Sequence, residues 1–104
     1  MANNNLTDAE DERLSFLTGE LGETLAEIAR IQRFGYASTF PDKEETNREA
    51  LERELGDVVH AIVLMMTNGD ISPPAISKRI HEKSISCRPY LFHQDTFVEL
   101  DVPF

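Results

Sequence analysis

Apolar residues recur at Leu14, Leu17, Leu21, Leu25, Ile28 and Ile31, at gaps of three and four, which sets them on one stripe of an α-helix. Thr7-Asp8-Ala9-Glu10 stands just ahead of the stripe as a capping box. In that motif the first and fourth side chains each satisfy the other residue's backbone N–H. The pattern predicts a helix over about 8–34, with Gly35 as its left-handed cap. Gly19 and Gly22 interrupt the stripe; each costs about 1 kcal/mol against Ala in a helix interior, so they mark a weakened helix or close approach of another backbone.

Residues 36–46 carry Pro41 and a polar run without period and read as a loop. A second capping box, Thr46-Asn47-Arg48-Glu49, opens a helix over 47–67 whose stripe is Leu51, Leu55, Val58, Val59, Ile62, Met65 and Met66. Asn68-Gly69-Asp70 ends it. Ser72 before Pro73 and Pro74 supplies an N-cap and first-turn prolines for a third helix over 73–86, carried on by Ile76, Ile80 and Ile85. That helix should stop before Pro89. Residues 88–104 read as an extended tail whose Phe92, Phe97 and Phe104 pack on this or a neighbouring subunit. The expected fold is all-α: one small helical bundle domain over 1–104, with an extended C-terminal tail. A chain of 104 residues keeps much of its surface wet, so its core is expected to be completed by oligomerisation.

Charge narrows the possible partners. Ten Lys and Arg against nineteen Asp and Glu give a formal net charge of -9, which repels a nucleic acid polymer over most of the surface. The same carboxylates suit divalent cations. The single cysteine, Cys87, excludes an internal disulfide framework and, lacking a ligand cluster around it, a thiolate zinc site; a reducing compartment follows. No segment approaches the ~20 apolar residues of a membrane span, and Met1 to Asn5 shows no signal-peptide pattern, so a cytoplasmic protein without a membrane partner is expected.

Two tetrapeptides concentrate the acidic residues: Glu20-Leu21-Gly22-Glu23 and Glu54-Leu55-Gly56-Asp57. Residues three apart face one side of a helix, so Glu20 with Glu23, and Glu54 with Asp57, each present two carboxylates to one point. If the two helices pack side by side, four carboxylates converge. Their mutual repulsion would raise their pKa values unless a cation such as Mg²⁺ or Mn²⁺ sits among them. Taken singly, either pair is also what an ordinary solvated helix face looks like.

Asp57-x-x-His60 is a step of the kind used in di-metal carboxylate bundles, but such bundles need it on two helices and the first helix has no matching histidine. His60 is otherwise a half-buried helix residue with one satisfied nitrogen. His81 and His93 have no partner in a ligand spacing. Lys78, Arg79, Lys83 and Arg88 form a basic cluster that suits a triphosphate, or complements the dipole of the third helix. No Gly-rich phosphate loop or nucleophile elbow is present.

Glu-x-x-Glu on one helix and Glu-x-x-Asp on the next resembles the MazG-like members of the all-α nucleoside triphosphate pyrophosphohydrolases. Arg33-Phe34-Gly35, the stretch from Thr46 to Asp57, and Arg88-Pro89-Tyr90-Leu91-Phe92 preceded by Lys83 extend the likeness to a subgroup often encoded by bacteriophages, over about residues 14 to 92. Two departures stand out: Gly19 occupies a position where many relatives have a further Glu, and the motifs lie slightly farther apart than usual. The resemblance implies that Glu20, Glu23, Glu54 and Asp57 are catalytic Mg²⁺ ligands and that Lys83 and Arg88 bind the substrate's phosphates. It also implies conversion of an NTP or dNTP to the monophosphate and pyrophosphate by an activated water, in a homodimer or homotetramer, in the host cytoplasm if the gene is a phage's. The competing readings are a non-catalytic dimeric helical module for nucleotide binding or for interaction, and a di-metal carboxylate bundle using His60.

Overall fold

The computed structural model describes residues 3–39, 41 and 44–102. Three helices follow in order, α1 (Asp8–Phe34), α2 (Asn47–Thr67) and α3 (Pro73–Ser86), with a 3₁₀ turn at Arg88–Tyr90. The domain is all-α; its described residues hold one isolated antiparallel bridge, Thr39 to Thr46, and no strand. The chain divides into two compact units, Met1–Asn68 and Gly69–Phe104.

Both capping boxes of the first unit are formed. Thr7 Oγ1 accepts from Glu10 N at 3.1 Å while Glu10 Oε1 accepts from Thr7 N at 2.8 Å. Thr46 and Glu49 repeat the exchange at 3.1 and 3.0 Å. Gly35 closes α1 with φ of 88° and donates to Ile31 O at 2.7 Å. Its ψ of 167° takes it out of the left-handed helical region that the sequence suggested for this cap. The chain therefore leaves α1 extended, and Asn47 catches it: the buried Asn47 Nδ2 donates to Gly35 O at 3.0 Å and its backbone N to Ser38 O at 2.8 Å. The start of α2 is thus tied to the end of α1, and the two helices pack as an antiparallel hairpin.

The hairpin's interior differs from the expected one. Its buried residues are Ala50, Ala61 and Met65 together with the polar Thr24, Glu27, Asn47 and Glu54. The predicted apolar stripes are only partly covered: Met65 is buried and Leu17, Ile31, Leu51, Val58, Ile62 and Met66 are half-buried, whereas Leu25 is 66 % exposed, Val59 58 %, and Leu14, Leu21, Ile28 and Leu55 are exposed as well. Two helices meet along one line, and here small and polar side chains occupy it. The exposed leucines flank that line and have nothing in the hairpin to cover them. A Cβ added at Gly19 or Gly22 would meet no atom within 4 Å, so neither glycine serves a close backbone approach among the described residues.

In the second unit Ser72 Oγ accepts from Ala75 N at 3.3 Å, and prolines fill the first turn of α3. The tail does not become extended at Arg88. Pro89 is accommodated inside a 3₁₀ turn whose first-turn amide needs no partner, with Tyr90 N donating to Cys87 O at 3.0 Å. The following residues lack regular structure and are pinned to α3: Leu100 N donates to Ser84 Oγ at 3.2 Å, and Ser77 Oγ to Val102 O. His81 Nδ1 lies 3.0 Å from Leu100 O, so that nitrogen carries the proton. Phe97 packs beneath the Arg88 guanidinium, 5.6 Å from its ring centroid, whereas Phe92 is 83 % exposed. Phe104 lies outside the described residues. Among these, no helix is long and apolar enough to cross a membrane.

Candidate metal centre

The polar line of the α1–α2 hairpin culminates in the two acidic pairs. Glu20 and Glu23 sit one turn apart on α1, Glu54 and Asp57 on α2, and one carboxylate oxygen from each lies within 4.8 Å of all the others. Spacing within each helix brings the pairs to one side; antiparallel packing brings the pairs together.

Burial falls hardest on Glu54, which is 5 % exposed. Arg53 Nη1 donates to Glu54 Oε1 at 2.7 Å, and the same guanidinium holds Glu45 through Nε and Nη2 at 3.1 and 3.0 Å. Glu45 and Glu54 in turn keep Arg53 more firmly protonated than usual. The other oxygen, Glu54 Oε2, is buried without a partner, and so is Glu20 Oε2. Such groups are rare in folded proteins because each forfeits its hydration without a bond in return.

Both carboxyl groups respond as the physics requires. Burial raises the pKa of Glu20, reinforced by the charges of Asp57 and Glu54. Burial likewise raises that of Glu54, with Glu23 adding to the rise and Arg53 opposing it. Glu20 and Glu54 therefore cling to protons that a cation would displace. Around it the polar groups are satisfied: Thr24 Oγ1 donates to Glu20 O at 2.8 Å, and one turn farther along α1 the buried Glu27 takes both its bonds from Arg30 Nη1 at 2.8 Å.

A hard divalent cation fits this donor set. All four ligands offer carboxylate oxygen, and trans oxygens about an octahedral Mg²⁺ stand roughly 4 Å apart, so a spread of 4.8 Å needs only side-chain rotation to close. The two partnerless oxygens are the ones an ion would satisfy.

His60 does not join this group. Its ring meets Phe16 edge-on, centroids 5.9 Å apart and planes at 82°, and the acidic-x-x-His step delivers no histidine ligand to the cluster of described residues. Lys83 and Arg88 belong to the second unit, where both are exposed and Lys83 borders a cavity of about 460 Å³ beside Phe97 and Leu100. Arg53 escaped sequence reasoning, because its bond to the adjacent Glu54 and its reach to Glu45, ahead of the helix cap, follow no helical period.

A family model for the MazG nucleotide pyrophosphohydrolase domain matches residues 9–92, a span that contains both acidic pairs. The chain belongs to the MazG family. No curated protein and no solved structure matches it. MazG domains are nucleotide pyrophosphohydrolases, hydrolases that typically depend on a divalent metal, and this MazG domain carries an acidic cluster able to hold one.

Proposed function

We propose that this MazG domain is a Mg²⁺-dependent nucleoside triphosphate pyrophosphohydrolase that converts an NTP or dNTP to the monophosphate and pyrophosphate. The observation that carries the reading is the pair of buried, partnerless oxygens on Glu20 and Glu54 within a four-carboxylate cluster inside the family's matched span. Glu20, Glu23, Glu54 and Asp57 would hold Mg²⁺, with Mn²⁺ able to replace it. When bound, the ion supplies charge neutralisation on the phosphate oxygens and lowers the pKa of water.

The chain's own side chains do the rest. Arg53 fixes one Glu54 oxygen and leaves the other aimed at the cluster. Glu23 is an exposed member of the cluster, open to a reacting water, and is assigned to take its proton. Lys83 and Arg88 are proposed to grip the phosphates. Arg88 uses a face of its guanidinium on Phe97, which leaves its N–H edge for anions. The outward leucines of α1 and α2 favour a homodimer or homotetramer, and the charge of -9 favours a small nucleotide over a nucleic acid polymer. A cytoplasm, the host's if the gene is a phage's, is where such a substrate is found.

The test is product analysis after incubation with a panel of NTPs and dNTPs plus Mg²⁺. Monophosphate with pyrophosphate is expected; diphosphate with phosphate, or no turnover, would overturn the reading.

A further inference from the structure

One helical turn beyond the carboxylates, α1 and α2 border a recess of about 340 Å³ lined by Glu12, Arg13, Phe16, His60 and Leu64. Phe16 precedes Glu20 by four residues and His60 follows Asp57 by three, so the recess opens about 5 Å along the hairpin axis from the cluster. The two rings meet edge to face, an arrangement that leaves ring surface uncovered, and Phe16 is 38 % exposed. Leu64 adds an apolar lining residue, and the adjacent Glu12 and Arg13 add an exposed carboxylate and a half-buried guanidinium that already has a partner. An aromatic and apolar lining beside an exposed carboxylate, a hydrogen-bond acceptor, suits a planar heterocycle with N–H donors.

We propose that this recess receives the nucleobase of the triphosphate, stacked against Phe16 and His60, with Glu12 accepting from an exocyclic amino group. The assignment rests on the pyrophosphohydrolase reading and orients the substrate along the hairpin: phosphates at the carboxylates, sugar spanning one turn, base at Phe16. It also sets a preference. An ionised carboxylate only accepts hydrogen bonds, so adenine, cytosine and guanine, which present an exocyclic amino group, are favoured over uracil and thymine, whose one ring N–H away from the sugar is flanked by two carbonyl oxygens that repel the carboxylate.

The experiment compares kcat and KM of the wild-type chain, Phe16→Ala, Phe16→Leu, His60→Ala and Glu12→Gln on the four common NTPs and on ribose 5′-triphosphate, which has no base. Loss of the aromatic face in either Phe16 variant should raise KM for the NTPs about five- to a hundredfold while leaving ribose triphosphate hydrolysis as in the wild type. Phe16→Leu keeps an apolar side chain of similar bulk, so a loss shared by both variants is a loss of stacking. Glu12→Gln should narrow the advantage of amino-bearing bases over uracil. Unchanged KM values in a wild-type background that turns over NTPs would overturn the recess and leave the metal site standing. An equal loss on ribose triphosphate would overturn it too, since the base would then not be what Phe16 touches. A wild-type chain inert toward every triphosphate would remove both readings.

Discussion

Arg53 holds one oxygen of Glu54 at 2.7 Å and leaves the other buried with no partner. The guanidinium therefore orients the carboxylate without saturating it. Arg53 pairs with Glu54 through that one oxygen only and turns its Nε and Nη2 to Glu45.

Removing that orienting partner should weaken the site without erasing it. Arg53→Ala is expected to lower Mg²⁺ affinity about ten- to a hundredfold, the usual effect of losing a group that steers a metal ligand. Isothermal titration of Mg²⁺ into the two proteins measures it, and equal affinities would show that Glu54 needs no steering.

The ligands themselves should be indispensable. Glu23→Gln and Asp57→Asn are expected to abolish metal-dependent turnover with unchanged helical circular dichroism. Each also removes one repelling charge from the cluster, so the apo proteins should melt no lower than the wild type. Turnover at the wild-type rate in both variants would sink the metal site.

Stability should depend on pH in a direction set by the same groups. Glu20 and Glu54 have folded-state pKa values raised above 4.5, so between 4.5 and the raised values the folded chain binds more protons than the unfolded one. Their contribution is present in full below about 4.5 and is lost as pH rises through the folded pKa. Glu49, lowered by its bonds to Thr46, acts oppositely and weakens the fold as pH falls through its depressed value. Mg²⁺ should cancel the first loss, so the rise in Tm on adding it should grow from about pH 5 to about pH 8. Melting curves with Mg²⁺ and with EDTA decide this; a pH-independent increment would mean that the ion does not displace those protons.

Much of this was legible in the residues. Thr7 with Glu10, Thr46 with Glu49 and Ser72 before Pro73 mark three helix starts, because capping chemistry is local and needs no knowledge of the fold. The four carboxylates were legible for the same reason once two helices were assumed to pair. What the residues did not show is which surface covers Leu21, Leu25 and Leu55. A stripe shows that some surface will cover those leucines, whereas which surface depends on packing that Thr24, Ala50 and Ala61 decide locally. The turn at Arg88–Tyr90 was hidden too, since Pro89 suits a first turn as well as it suits an extended strand.

Lys83 and Arg88 are expected to act on the phosphates and not on the metal. With a non-hydrolysable triphosphate, Lys83→Ala and Arg88→Ala should bind about ten- to a hundredfold more weakly while Mg²⁺ affinity stays unchanged. Lys78 is the control, because its side chain is 80 % exposed and, among the described residues, pairs with Glu82 alone, at 4.0 Å. Equal nucleotide affinity in all three variants would remove both cations from the site.

The exposed leucines carry the last expectation. Leu14, Leu21, Leu25 and Ile28 on α1 and Leu55, Val59 and Val63 on α2 follow one another at helical spacing and lie 38 to 66 % exposed, more apolar surface than a lone chain keeps in water. A net charge of -9 opposes association, so an assembly must bury enough of these residues to outweigh it, on the order of the 1,200–2,000 Å² typical of stable interfaces. Sedimentation at micromolar concentration should therefore show a dimer or a tetramer. Leu25→Glu or Val59→Glu, placed at the two most exposed apolar positions of the hairpin, should shift it toward monomer. High salt should tighten association of the wild type by screening the repulsion, which separates an apolar interface from one held by ion pairs. A compact wild-type monomer, indifferent to salt and to both substitutions, would show that the leucines are covered in some other way.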